Sequence, residues 1–228
     1  MIVFISQSNY IPWRGFIDII RHADIYVVYD SMQYTKNDWR NRNLIRNNGK
    51  AHWLTIPCGS SISRRIDEVY PTAPSWNAKH FLTLKHCYSQ APYWPRYADQ
   101  LSEIYSGFEN MSLSEINTKL IQYILMLSNA QTIVIKDTDI ISIDELLALE
   151  RSERLASLCR HLSADTYLTA PAAKSYLNED WFLAFGIKVE FFQYPRYSPY
   201  LTNDLPSLRE LSWVDPLMHT GRLFHGHN

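Results

Sequence analysis

Four apolar residues, Ile2-Val3-Phe4-Ile5, are followed by a polar turn, a stretch of helical periodicity and a second β-branched run, all within the first thirty positions. Short continuous apolar runs suit buried strands. The segment between them, Ile11 to Ala23, places Trp13, Phe16, Ile17 and Ile20 at helical spacing, with Pro12 acceptable in a first turn. Ile25-Tyr26-Val27-Val28-Tyr29 then reads as a strand and stops at Asp30. Strand, crossover helix and strand make a βαβ unit, the device by which neighbouring strands come to lie parallel.

The alternation continues. Thr132-Ile133-Val134-Ile135, Thr166 to Thr169 and Val189 to Gln193 read as strands, and Ile143 to Leu162 reads as a helix with Leu146, Leu147, Leu149, Leu155, Leu158 and Leu162 on or near one face. Trp53 to Pro57 reads as a further strand, which Pro57 confines to an edge or an end. Between these, 77–106 and 112–128 carry helical periodicity, interrupted near Ala91 to Arg96 by Pro92 and Pro95. The expected fold class is α/β: a mainly parallel, Rossmann-like sheet with a helical middle segment. A chain of 228 residues that is 46% hydrophobic can bury its own core, and the expected organisation is one α/β domain over 1–228 with a mainly helical insertion around 77–128.

Charge narrows the partners. The formal net charge is −1, with Lys and Arg spread along the chain, so the electrostatic footprint of nucleic-acid binding is missing and no nucleic-acid partner is expected. Met1 to Ile5 runs straight into Ser6-Gln7-Ser8-Asn9 without a charged leader or a small-residue cleavage site. No later apolar run approaches spanning length. The expectation is a cytoplasmic protein with no membrane insertion. Cys58, Cys87 and Cys159 have no CxxC spacing and cannot all pair, which suits a reducing compartment.

Asn37-Asp38-Trp39-Arg40-Asn41-Arg42-Asn43 concentrates hydrogen-bonding side chains around one tryptophan. Asn and Asp compete with the backbone for hydrogen bonds, so the segment is expected to be a loop or a cap. Two guanidiniums offer forked donors for phosphate or carboxylate, and an indole offers a stacking face; together they suit an anionic ligand with a ring, such as a nucleotide-linked sugar. The plain alternative is a capped, solvated turn whose Arg and Asp pair with each other. Ligands of open parallel sheets collect at the carboxyl ends of the strands. This gathers Gln7, Asn9, Tyr10, Asp30 and Gln33, with Ser8, around the same loop, and Trp13 stands close by in sequence.

For chemistry, His80 has an ordinary titration range suited to a general base acting on an amino nitrogen, against the alternative of a histidine packed beside Leu84; His52 and His86 are weaker candidates. Cys58, after a strand and before Gly59, could take an acyl group, although a small buried thiol is the commoner outcome. Spacing does not assemble Ser6, Ser8 and Asp30 into a triad. His219, His225 and His227 cluster near the carboxyl end, but Cys and His spacing is poor and no metal is expected. There is no P-loop and no G-x-G-x-x-G run, so a dinucleotide cofactor is not indicated.

Gln7-Ser8-Asn9-Tyr10-Ile11-Pro12-Trp13, Asp30, Gln33-Tyr34, Asp38-Trp39-Arg40-Asn41-Arg42-Asn43 and Trp53-Leu54-Thr55-Ile56-Pro57 together resemble the signature of the WbqC-like family. The resemblance runs on through Trp76, Lys79-His80, Tyr88, Ala91-Pro92-Tyr93, Thr166-Tyr167-Leu168, Pro171-Ala172-Ala173, Tyr176-Leu177, Tyr194, Tyr197, Leu211-Ser212-Trp213-Val214-Asp215 and Gly221, and so covers nearly the whole chain. Ser8 departs from it, standing where proline is usual. The resemblance implies modification of an amino sugar in surface-polysaccharide (O-antigen) biosynthesis, most simply N-acyl or aminoacyl transfer. The partner would be a nucleotide-linked amino sugar; if the reaction is thioester-dependent, the donor would be coenzyme A or an acyl carrier protein, between which the sequence does not choose. The alternatives are a non-catalytic sugar-nucleotide binding or assembly protein and, on a Rossmann-like scaffold, a nucleotidyltransferase-like or ligase-like enzyme. The opening strand, turn and Pro-Trp-Arg-Gly helix start also resemble the nucleotidyltransferase group of Rossmann-like proteins, but Trp13 and Arg14 stand where that group carries a His-x-Gly-His turn.

Overall fold

The computed structural model describes residues 1–201 and 210–224. In chain order the elements are β1 (Ile2–Ser6), α1 (Arg14–Arg21), β2 (Ile25–Val28), β3 (Arg42–Asn47), β4 (Lys50–Thr55), α2 (Trp76–Tyr88), α3 (Trp94–Ser106), α4 (Leu113–Leu127), β5 (Ile133–Lys136), α5 (Ile143–Ala148), α6 (Arg151–His161), β6 (Thr166–Thr169), α7 (Asp180–Ala184), β7 (Lys188–Phe191) and α8 (Val214–Thr220). The chain divides into two units. The first comprises Met1–Ser8, Gly15–Met32 and Asn129–Arg196; the second comprises Asn9–Arg14, Gln33–Ser128 and the described residues from Tyr197 onward.

The first unit is an α/β structure built on a five-stranded, wholly parallel sheet in the order β5-β2-β1-β6-β7. The βαβ reading of the opening thirty residues holds, with Val3 opposite Ile25 and Ser6 opposite Val28. β1 is buried on both faces, which is why it is continuously apolar instead of alternating. Phe4 stacks on Tyr26 at 5.6 Å and meets Phe16 of α1 edge-on at 6.0 Å. Val3 and Ile5 belong to the opposite core, with Leu146, Ala156, Leu158, Tyr167 and Phe182. Strand order reverses between β1 and β6, so the switch point of this sheet lies beyond Ser6 and Thr169.

The expected single helix from Ile143 to Leu162 is two helices. Leu149 is extended at φ −85°, ψ 159°, and the backbone N–H of Glu150 donates to the Glu153 carboxylate at 3.2 Å, so charges that read as an exposed face are the cap that starts α6. The first helix also begins later than its periodicity suggests. α1 starts at Arg14, after Ile11 at φ 34°, and Trp13 forms an antiparallel bridge to Ser212.

The second unit carries the helical middle, α2 to α4, with breaks where Pro92 and Pro95 place them; Pro95 sits in the first turn of α3 and helps to start it. α4 opens on a capping box in which the Ser112 N–H donates to Glu115 at 2.7 Å. The strand expected at Trp53 to Pro57 starts earlier, at Lys50, and pairs antiparallel with β3 in a separate two-stranded sheet. Asn48 and Gly49, at φ 48° and 73°, form the two-residue turn between them. Below the hairpin, Arg46 holds the buried carboxylate of Asp215 through Nε at 3.1 Å and Nη2 at 3.0 Å, and the Tyr88 hydroxyl donates to it at 3.0 Å.

Candidate functional site

Asp38 builds the polar turn. Its carboxylate accepts from Thr35 Oγ1 and from the Trp39 N–H, both at 2.7 Å, while its carbonyl accepts from the N–H groups of Asn41 at 3.1 Å and Arg42 at 3.3 Å. Partial burial pushes its carboxyl upward, but the Thr35 hydrogen bond, Arg40, the Trp39 amide and Arg42 outweigh it and leave the group below its ordinary value. Arg40 Nη2 lies 3.5 Å from Asp38, so the pairing of the plain alternative is present. Arg40 is held further: Nη1 donates to Asn9 Oδ1, and the Arg40 carbonyl accepts from Asn117 Nδ2 at 2.8 Å.

The loop ends sooner than its composition suggests, because Arg42 and Asn43 are the first residues of β3. Asn41 and Asn43 are buried, and each spends its side-chain amide on backbone: Asn41 Nδ2 donates to the Ile56 carbonyl at 2.9 Å and Asn43 Nδ2 to the Tyr10 carbonyl at 3.1 Å. Arg42 is different. Arg42 pairs with Thr55 and Leu44 with Trp53, so Arg42 and Trp53 are diagonal neighbours on one face of the hairpin, with the guanidinium carbon 4.2 Å from the indole centroid. Trp39 lies against the same indole at 5.6 Å. Both tryptophans remain open to solvent, Trp39 at 45% and Trp53 at 41%. Trp53 is the member of this surface that residue-by-residue reading missed; Asn48-Gly49 between alternating segments is the signal that would have set the hairpin register.

Behind the turn lies a hydrogen-bonded chain of buried side chains. His80 Nε2 is 3.0 Å from the Thr55 carbonyl, which can only accept, so Nε2 carries the ring proton. Nδ1 is then the acceptor and takes the Tyr10 hydroxyl proton at 2.7 Å; the Tyr10 oxygen in turn accepts from Tyr105 Oη at 2.7 Å. Burial lowers the His80 pKa to about 4, although the Thr55 carbonyl acts in the opposite direction. The imidazole is therefore neutral, 7% exposed, with both nitrogens engaged.

The expected site residues divide between the units. Asn9, Tyr10, Trp13, Gln33, Asp38 to Asn43 and His80 belong to the second. Gln33 is exposed and donates Nε2 to the Ile62 carbonyl at 3.0 Å; Trp13 meets Tyr197 edge-on at 5.9 Å. Gln7 and Asp30 belong to the first unit, beyond the carboxyl ends of β1 and β2. Gln7 stands at the switch point described above. Buried Asp30 accepts from the Ser8 N–H at 2.8 Å and from Ser8 Oγ at 2.6 Å, two donors that a proline at position 8 would lack. Beside this pair, buried Asp137 follows β5 and accepts from Ser31 Oγ; burial raises its pKa to about 6, against the Ser31 and Thr138 hydrogen bonds.

Cys58 is buried and its thiol is pushed up to about 12 by desolvation, the environment of a packed thiol and not of a nucleophile. His225 and His227 lie outside the described residues, among which no three His, Cys, Asp or Glu side chains come together as a metal site. A cavity of about 410 Å³ opens in the second unit between Tyr70–Asn77 and Phe108–Met111; none of the expected site residues lines it. No helix among the described residues is long and apolar enough to cross a membrane.

A parallel α/β sheet in one unit, and in the other a hairpin that places Arg42 and a half-open Trp53 beside the half-open Trp39 of the preceding turn, define an α/β protein. Comparison with known proteins gives the family. The pattern of the WbqC-like protein family matches residues 7–223, and the chain belongs to that family. It is also similar to an uncharacterized protein of Mycobacterium tuberculosis, 37% identical over 200 residues that cover 87% of this chain and 84% of the relative. No solved structure matches.

Proposed function

We propose that the protein binds a nucleotide-linked amino sugar on the Trp39–Trp53–Arg42 surface and transfers an acyl or aminoacyl group to the sugar nitrogen in surface-polysaccharide biosynthesis. The observation that carries the binding step is the pair of half-open indoles with a guanidinium stacked on one of them. Exposed aromatic faces stack on sugar or base rings, and a guanidinium over an indole brings N–H donors suited to phosphate to the same surface. Arg40, fixed by Asn9 and Asp38, supplies a second positive charge on the same turn. The transfer step rests on the family resemblance. With a thioester of coenzyme A or of an acyl carrier protein as donor, the sugar nitrogen attacks the acyl carbon, a C–N bond forms, the C–S bond breaks, and the nitrogen's proton passes to the departing thiolate, giving amide and free thiol.

His80 bears on the choice between catalysis and binding. A neutral imidazole with both nitrogens engaged favours a second reading, in which the protein binds the sugar nucleotide without turnover and serves a sugar-modifying partner. The test is incubation of purified protein with nucleotide-linked amino sugars and acyl or aminoacyl donors, with mass spectrometry of the products. An acylated sugar supports transfer. Ligand-induced thermal stabilisation without product supports the second reading, and pyrophosphate release from a nucleoside triphosphate would instead indicate nucleotidyl or ligase chemistry. A ligand at about 100 times its Kd adds about 2.7 kcal/mol of stability, enough to read as a thermal shift.

A further inference from the structure

We infer that Tyr10 is the positioning residue of the tryptophan–arginine surface, set in place by the buried chain Tyr105–Tyr10–His80–Thr55; the inference rests on the ligand site proposed above. Four observations meet at this residue. Its hydroxyl is fixed on both sides, donating to His80 and accepting from Tyr105, in a chain whose direction is dictated by the Thr55 carbonyl. Its backbone N–H donates to the Trp39 carbonyl at 2.9 Å, and its carbonyl accepts from Asn43 Nδ2 at 3.1 Å, so one residue pins both ends of the Trp39 to Asn43 segment. The residue before it, Asn9, holds the Arg40 guanidinium.

The residue after it is strained. Ile11 is fully buried, β-branched, followed by proline and held at φ 34°, a combination that its own sterics and those of Pro12 disfavour. Such a conformation persists only where its surroundings over-determine it, and the Tyr10 side chain supplies an anchor one residue away. His80 thus acts through Tyr10 on Trp39 and Arg40. It holds the surface in shape and has no need to touch a ligand.

The test compares His80→Ala, His80→Gln and Tyr10→Phe with the wild type by hydrogen exchange of the 38–43 amides, a measurement that needs no ligand, and by titration with UDP-glucosamine. Glutamine can donate its amide N–H to the Thr55 carbonyl and accept from Tyr10, as the neutral ring does. Leu101→Ala, in the core of α3, serves as a control for general loss of stability. Exchange of 38–43 is expected to rise at least tenfold in His80→Ala and Tyr10→Phe beyond that in Leu101→Ala, with His80→Gln close to the wild type. Affinity for UDP-glucosamine should fall in the same order. Exchange in Tyr10→Phe no faster than in the control, or His80→Gln behaving as His80→Ala, overturns the inference. Wild-type protein that shows the exchange pattern but leaves UDP-glucosamine unbound overturns the ligand reading and leaves the positioning role standing.

Discussion

The Tyr10 hydroxyl donates to Nδ1 of His80 across 2.7 Å, while the other ring nitrogen is committed to the Thr55 carbonyl. A proton added to this imidazole would land on Nδ1 and face the hydroxyl proton of Tyr10 in a buried site. Reversing the chain would then leave Tyr105 to find another acceptor. The ring therefore stays neutral well below its ordinary range, and stability becomes linked to pH through it.

The sign of that linkage follows from the depressed value. An unfolded histidine titrates near 6.5 and the folded one near 4, so the contribution is fully present above about 6.5 and is lost as pH falls towards 4. At about 1.4 kcal/mol per pH unit, the loss reaches about 3 kcal/mol. Urea denaturation of wild type and His80→Gln at pH 7 and pH 4 measures it. Their difference in stability should shift by that amount between the two conditions, and equal pH slopes would contradict it.

Asp137 carries the opposite sign. Its carboxyl is raised from 3.8 to about 6 by burial, so the folded state disfavours the charged form; the stabilising effect is fully present below about 4 and is lost as pH rises through 6. The size is again about 3 kcal/mol. Because Asp137 belongs to the first unit and His80 to the second, mild acidification should raise protection from hydrogen exchange, relative to the intrinsic rate at each pH, in β2 and β5 while lowering it around Thr55 and α2. Asp137→Asn should remove the first effect alone.

Trp53→Ala should leave stability within about 1 kcal/mol, since the indole is half open and what it loses is an exposed cation–π contact with Arg42. Binding should suffer more. Stacking on an aromatic side chain contributes about 1–3 kcal/mol per ring, so affinity for a nucleotide-linked sugar should fall about tenfold or more. Calorimetric titration of wild type, Trp39→Ala and Trp53→Ala checks this, and unchanged affinity in both variants would remove the surface from the ligand site.

Gly221 ends α8 at φ 73°, and a Cβ built on it would lie 2.5 Å from Cε1 and 2.6 Å from Cδ1 of the Tyr93 ring. The Tyr97 hydroxyl also donates to the Gly221 carbonyl at 2.8 Å, so the backbone has little room to retreat. Gly221→Ala should destabilise the second unit by about 2 kcal/mol or more, with about 1–2 kcal/mol from the left-handed conformation alone. Chemical denaturation reads it directly, and a loss below about 0.5 kcal/mol would mean that Tyr93 moves freely.

How far the chain could be read depends on which interactions are local. Thr166 to Thr169 was legible as a strand to its exact ends, and the proline-marked gap between α2 and α3 fell where expected, because propensity and punctuation act over a few residues. Ile143 to Leu162 misled because leucine periodicity survives across a two-residue break, Leu149 and Glu150, while the cap that makes the break is two glutamates that also resemble an exposed face. Arg42 and Asn43 misled because their composition is that of a loop, and only pairing with Leu54 and Thr55 makes them strand.

By itself the sequence determined the parallel sheet, the helical middle and the polar turn around Trp39, since buried strands, amphipathic helices and Asn/Asp turns each write their own short-range pattern. Tertiary structure alone decided that Trp53 joins Trp39, that Asn41 and Asn43 turn inward to backbone carbonyls, and that His80 is a neutral link between Tyr10 and Thr55. These facts come from groups 14 to 70 positions apart meeting away from water, where each hydrogen-bond donor must find an acceptor and a charge is costly; nothing in the neighbouring residues records which partner it will be.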